Sequence, residues 1–370
     1  MSANTTSTKS LSPMRLRWRR FRRIRRGYYS FVLLLGTYVL SFFLPFIMNS
    51  RAIVVRYDGN FYFPAAKSYL YDTFGYGREL IYLGSEFNQT DDSGRIVQGE
   101  ANYRKLKQQF RESNMGNFVL LPVIPNHPNE SFLEQEGNPP YPPSAQHWLG
   151  TDDRGRDLLV RLAYGFRISM SFALVVTLFS YAVGIVIGAA LGYFGRWVDI
   201  IGQRLVEIWG AVPFLYTVII LASIFTPSFR LLVSILAAFG WMQITYYLRG
   251  EFYREKSKDY VAAGIAIGES HATIILRYIL PNALTPIITF APFAIVVSIS
   301  SLVSLDFLGF GLPAPTSSWG ELLSQAKQDL QQWHLVLFPL TAMFLTLQLI
   351  VFIGEAFREA FDPKIFSRLR

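Results

Sequence analysis

The sequence has no cysteine, which excludes disulfides, zinc–thiolate sites and iron–sulfur clusters. An extracytoplasmic loop can therefore stand in an oxidising compartment with no thiol to mispair. Histidine is nearly as scarce. The four are His127, His147, His271 and His334, and their spacing is not that of a metal site; scattered in this way they read as surface or interface groups. Charged residues make up 16% of the chain, against roughly 25% in soluble domains. There is no Gly-x4-Gly-Lys-Ser/Thr phosphate cradle, so the chain is not expected to hydrolyse ATP or to bind a cofactor of its own.

Apolar side chains are abundant instead, at 51%. They gather into blocks of the roughly 20 residues that a bilayer core demands. Six such blocks cover residues 28–48, 168–194, 205–225, 229–248, 284–305 and 335–354. The expected fold class is therefore an all-α polytopic membrane protein. The domain plan divides it into a basic segment 1–27, a first span 28–48, a subdomain 49–165, a membrane core 166–360 that includes the loop 249–282, and a tail 361–370.

Residues 1–9 are polar and read as disordered. Arg15, Arg17, Arg19, Arg20, Arg22, Arg23, Arg25 and Arg26 then crowd ahead of the first block with no acid among them. That block is too long for a signal-peptide core, and Asn49, Ser50 and Arg51 make a poor cleavage site, so it reads as an uncleaved anchor. Arginine at this density before a span fits topology and anionic headgroups better than nucleic acid. Alternate loops repeat the bias. Arg196, Arg204, Arg249, Arg254, Lys256, Lys258, Arg277, Arg358, Lys364, Arg368 and Arg370 fall on one side, whereas on the other the turn 226–228 is flanked only by Arg230 and the loop before the sixth span holds only Lys327. The positive-inside rule then places both termini in the cytoplasm of an inner-membrane protein, and the net charge of +9 follows from loop position.

The subdomain 49–165 carries strand-like pieces at 52–57 and 60–63 and a proline-rich stretch at 126–143. Asp152, Asp153 and Asp157 precede the second span, where aspartate caps helices and complements the dipole; a carboxylate metal site is the weaker reading. Gly184, Gly188 and Gly192 lie on one helical face, which lets another helix of the same fold approach closely. Arg204 and Glu207 can pair at the cytoplasmic end of the third span. Asp306 ends the fifth span, within reach of the interface. Pro213, Pro286, Pro292 and Pro339 mark kinks.

Residues 258–284 are too polar to cross the membrane. Residues 259–267 can form a helix that Gly268 ends in a left-handed turn, and residues 273–279 a second that stops before Pro281. The result is an elbow able to dock into a groove on a soluble partner and transmit a push.

This loop resembles the membrane subunits of ABC importers, whose pattern is Glu-Ala-Ala, a glycine after three further residues, then Leu-Pro. Ala262, Ala263 and Gly264 stand in place of Glu-Ala-Ala, two departures, while Gly268, Leu280 and Pro281 match. Asp259 opens the elbow. The segment 147–169, with Gly150, Thr151, Asp152, Gly155, Arg156 and Asp157, is similar to the approach to the second helix in C-type permeases of dipeptide and oligopeptide importers. Residues 304–320 are similar to their outer loop before the last helix. The likeness covers roughly 146–363, and the Arg-rich start with its enlarged outer loop resembles one member of that family closely. The resemblance implies a type-1 importer permease fold and a second permease as heterodimer partner. It further implies an ATPase with two nucleotide-binding domains that holds ATP and magnesium, a periplasmic peptide-binding protein, and oligopeptide cargo extending to microcin C-like antibiotics. No nucleic acid and no resident metal are implied.

Three other readings compete. A nickel permease would share the architecture but calls for periplasmic ligands that the sequence lacks. A membrane enzyme would need a catalytic constellation in 49–165, where His127 and His147 are the sole imidazoles. A sensor would need an output domain beyond Gly354.

Overall fold

A computed structural model describes residues 13–74, 81–91, 93–113, 116–133 and 137–361. The expected disorder of 1–9 and the tail charges Lys364, Arg368 and Arg370 lie outside the described residues.

The chain opens with α1 (Pro13–Arg23), α2 (Arg25–Ser41) and α3 (Leu44–Ile47), followed by β1 (Val54–Tyr57), β2 (Asn60–Tyr62), α4 (Pro64–Phe74), α5 (Tyr103–Ser113) and β3 (Phe118–Leu120). Long helices follow: α6 (Leu158–Phe194), α7 (Arg196–Gly210), α8 (Phe214–Ile224) and α9 (Phe229–Lys256). The elbow contains α10 (Asp259–Ala266), α11 (His271–Thr273) and a π-helical turn, Ile274–Ile279. After it come α12 (Leu284–Phe307), α13 (Trp319–Ala326) and α14 (Trp333–Phe361).

Among the described residues, four helices, α6, α9, α12 and α14, are long and apolar enough to cross a membrane. The pair α7 and α8 meets the same standard together but is bent by 65°. Pro213 causes the break, since it lacks an N–H and its ring crowds the preceding turn. The expected third span at 205–225 is therefore two pieces that begin at Arg196. The first expected span also divides, because α2 stops at Ser41 and α3 resumes at Leu44.

The chain forms two compact units. The first comprises residues 1–36, 169–313 and 341–370. A close seam joins α6 to α9, where a Cβ added at Gly188 would stand 2.9 Å from Leu248 Cβ and one at Gly192 would stand 2.7 Å from the Arg249 carbonyl. Gly184 meets Ile244 and Trp241 in the same manner. Absent side chains bring the two backbones together, so the glycine face is an internal packing surface. At one end of this unit Phe21 stacks on Phe357 at 4.5 Å and Gly27 packs on Ala356.

The second unit comprises 37–168 and 314–340, so it also takes in residues from within the stretch 166–360. An antiparallel sheet in the order β2-β1-β3 is its most regular part. Asp58 and Gly59 turn the first hairpin with positive φ of 47° and 77°, as a two-residue turn of the primed type requires. Tyr103, Leu106 and Phe110 line one face of α5 and pack with Val55, Val119 and Phe87. The strands fall within one or two residues of the expected pieces; α4, α5 and β3 were not anticipated.

Candidate coupling elbow and membrane cavity

The elbow stands on buried apolar anchors. Val261, Ile274, Ile279 and Ala283 join Ile244, Leu248 and Phe252 of α9 and Tyr193 of α6 in one cluster. Gly264 lies against the ring of Tyr278, whose nearest carbon would be 3.5 Å from an added Cβ. Gly268 has a φ of +81° and closes α10 where other residues would be strained. Ser270 caps the next turn by accepting from Thr273 N at 3.2 Å. Leu280 N then bonds to Ile275 O at 2.8 Å, one residue wider than an α-helical bond, and Pro281, which has no N–H, follows. The second elbow segment is thus π-helical, where an ordinary helix was expected.

Polar ties hold the elbow in place. Lys256 Nζ donates to the Tyr193 carbonyl at 2.5 Å, and Tyr193 Oη meets His271 Nδ1 at 2.7 Å. Tyr260 Oη donates to Glu255 at 2.6 Å and accepts from Asn282 at 3.1 Å. Burial, together with the Glu255 carboxylate, pushes the Tyr260 phenol up to about 12, so it remains a donor at neutral pH. Asp199 of α7 binds Arg249 at 2.5 and 2.7 Å and Tyr253 at 2.7 Å. The outward surface is different in character: Asp259, Ala262, Ala263, Gly268 and Pro281 are exposed, as are Ile265, Ile267 and Leu276. Leu280 is half-buried. An apolar face on a clamped base can take a partner and pass on its motion.

Within the second unit the motif residues form a buried charge network. Gly150, at φ +83°, leaves no room for a Cβ beside the Tyr141 carbonyl. Thr151 accepts from Tyr141 N at 2.8 Å and, through its carbonyl, meets His334 Nε2 at 3.1 Å. Asp152 is fully buried and accepts from Arg154 N and Arg156 N at 3.0 and 2.9 Å, which folds the turn at Gly155. Its other oxygen binds Arg156 at 2.6 Å and lies 3.3 Å from Arg161. Glu321 of α13 completes the group, 3.2 Å from Arg156 and hydrogen-bonded to Arg161. Asp157 accepts from Asn126 at 2.9 Å and His147 at 2.8 Å and caps α6 through Val160 N. Trp319 Nε1 donates to Leu162 O at 3.0 Å.

Several of these roles escaped the sequence reading. The aspartates form ion pairs as well as caps, and His147 and His334 are buried. Arg161 and Glu321 were not picked out at all; an arginine in the first turn of an apolar helix was the available signal. Asp306 does not reach outward: it is buried and accepts from Leu312 N at 2.6 Å. Also missed was a cavity of about 260 Å³ in the first unit, lined by α6, α8, α9 and α12. Thr177 and Ser180 of α6, Gln243 of α9, and Ser298 and Ser301 of α12 supply its polar groups. Hydroxyl residues spaced three apart within apolar helices, Thr177 with Ser180 and Ser298 with Ser301, were the legible sign.

A helical membrane unit with a clamped, apolar-faced elbow between two long helices is built as a transport subunit. The chain belongs to the family of inner-membrane permease components of binding-protein-dependent transport systems. The family described as "Binding-protein-dependent transport system inner membrane component" matches residues 184–367. The chain is 41% identical to the "Inner membrane ABC transporter permease protein YejE" of Escherichia coli strain K12 over 95% of its own length and 98% of that protein's. It is 36% identical to the "Peptidoglycan transport system permease protein YejE" of Agrobacterium fabrum, covering 94% and 92% respectively. With the "Oligopeptide transport system permease protein OppC" of Haemophilus influenzae it shares 37% identity over 59% of this chain and 70% of that one. It is a non-catalytic subunit of the ABC permease class.

Proposed function

We propose that this chain is one of two permeases in an ATP-driven importer of oligopeptides. Its elbow, residues 259–281, receives the stroke of an ATPase subunit that holds ATP and magnesium. The observation that carries this reading is the elbow's division into a buried base and an exposed apolar face. Gly150, Thr151, Asp152, Gly155, Arg156 and Asp157 belong to the part that meets a periplasmic peptide-binding protein. Peptide cargo is supported by relatives named for oligopeptide and peptidoglycan transport; peptides released from peptidoglycan, and microcin C-like antibiotics, fall within that class.

Six crossings fit this role. The ends of α6 and α9 meet at one level, since Lys256 reaches the Tyr193 carbonyl. The chain between them must leave that level and return. α9 is the return, so α7 and α8 together form the outward crossing, broken at Pro213.

ATPase activity of the purified chain, alone and assembled with its ATPase, partner permease and binding protein, tests the proposal. No activity alone and peptide-stimulated activity in the assembly are expected. Activity from the chain alone would overturn the permease role, and an assembly indifferent to peptide would overturn the cargo.

A further inference from the structure

The cavity among α6, α8, α9 and α12 carries an inference that rests on the peptide-permease reading and extends it to named atoms. Most hydroxyls in apolar helices return their hydrogen bond to a backbone carbonyl one turn earlier. Ser298 does so, donating to Ala294 O at 2.9 Å. Thr177 and Ser180 do not. Each is more than nine-tenths buried, each lines the cavity, and neither hydroxyl has a hydrogen-bond partner. Their position is maintained by the neighbouring helix, because a Cβ at Gly240 would come within 2.5 Å of Ser180 Oγ. A glycine there leaves the hydroxyl room to face the cavity. Buried polar groups without partners are rare in folded proteins, and each calls for an occupant or a function.

The lining indicates what the occupant is. None of its thirteen residues is an Asp, Glu, Lys, Arg or His. A charged ligand would be stranded here, since burying an ion without a counter-charge is costly. Hydroxyls and the Gln243 amide each donate and accept. Phe214, Phe239 and Leu236 supply apolar wall between them. A neutral ligand that alternates N–H and C=O groups matches this set. At about 260 Å³ the space is at the small end of ligand pockets and suits a residue or two of a longer chain.

We propose that Thr177 and Ser180, with Gln243, bind the main-chain amides of a peptide in transit. The side chains of the peptide are not read here, so the site accepts varied sequences.

The test is uptake by the complete complex, with its binding protein, in proteoliposomes. The probes are trialanine and trialanine methylated at its backbone nitrogens. T177V/S180A is expected to raise the trialanine concentration for half-maximal uptake about three- to tenfold, the scale of one or two lost hydrogen bonds. Methylation should weaken uptake by the wild type and add little further loss in T177V/S180A, the coupling expected of groups that touch. Leu178→Val, on the exposed side of α6, should retain wild-type uptake. T177V/S180A with unchanged uptake and a higher melting temperature would overturn the site, its hydroxyls being then only an unmet folding cost. A wild-type complex that takes up no peptide would overturn the cargo reading, and this proposal with it.

Discussion

Asp152 and Asp153 are adjacent in sequence and opposite in electrostatic situation. Asp152 is enclosed by Arg156 and Arg161. Removing it leaves two buried guanidiniums facing Glu321 alone, so Asp152→Ala should destabilise the fold by about 3–5 kcal/mol, the usual result of breaking a buried pair. Asp153 has its pKa raised, first by burial and then by the charge of Asp152. A carboxyl that holds its proton more tightly when folded is a burden once ionised. Asp153→Asn should therefore raise the melting temperature at pH 7.5, and the gain should vanish below about pH 4, where the unfolded group is protonated too. Melting curves of the detergent-purified variants at the two pH values check both signs; a loss in Asp153→Asn at pH 7.5 would contradict the burial argument. Only part of this was legible in the sequence. Gly268 announced its turn because a left-handed residue is a local demand. The meeting of Arg161 with Glu321, 160 residues away, is made by the tertiary fold and leaves no local trace.

Helices show the same division between local and tertiary causes. The spacing of Gly184, Gly188 and Gly192 showed a close-packing face, and the fold supplies α9 as the partner. The ends of the spans were harder to read. Hydrophobic blocks mark the apolar part of a helix, so α6 begins ten residues before its block, at Leu158, and α7 nine before, at Arg196. Arg161 and Asp199 disguised those turns because each is neutralised by a partner distant in sequence. Two glycines separate packing from propensity. Gly36 has nothing within 4 Å of an added Cβ, and alanine there should gain up to about 1 kcal/mol from helix propensity. Gly188→Ala should lose about 1–3 kcal/mol by pushing α6 from α9. Opposite shifts in melting temperature are expected; equal ones would mean that the seam is loose.

At the scale of the whole molecule, parity links the two chain ends. Phe21 stacks on Phe357, and Arg26 lies 3.9 Å from Glu355. The start of α2 and the end of α14 therefore lie together, and the proposed topology separates them by an even number of crossings. α6, α9, α12 and α14 are long and apolar enough for four of them. On the proposed six-crossing topology, α2 is the fifth crossing and the bent pair α7–α8 the sixth. Were that pair re-entrant, the count would be odd and the Phe21–Phe357 contact would be lost. On the same proposed topology, the arginines of α1 and the basic residues around the elbow face the cytoplasm by the positive-inside rule. A phosphatase reporter inserted after Arg95, in the larger loop, should be active outside the cytoplasm, and one after Phe225, beyond the bent pair, should be active there too. A reporter after Ser257, beside the elbow, should be silent. Activity at Arg95 with silence at Phe225 would mean that Pro213 turns the chain back within the membrane, and the elbow would need another route to the side where ATP is spent.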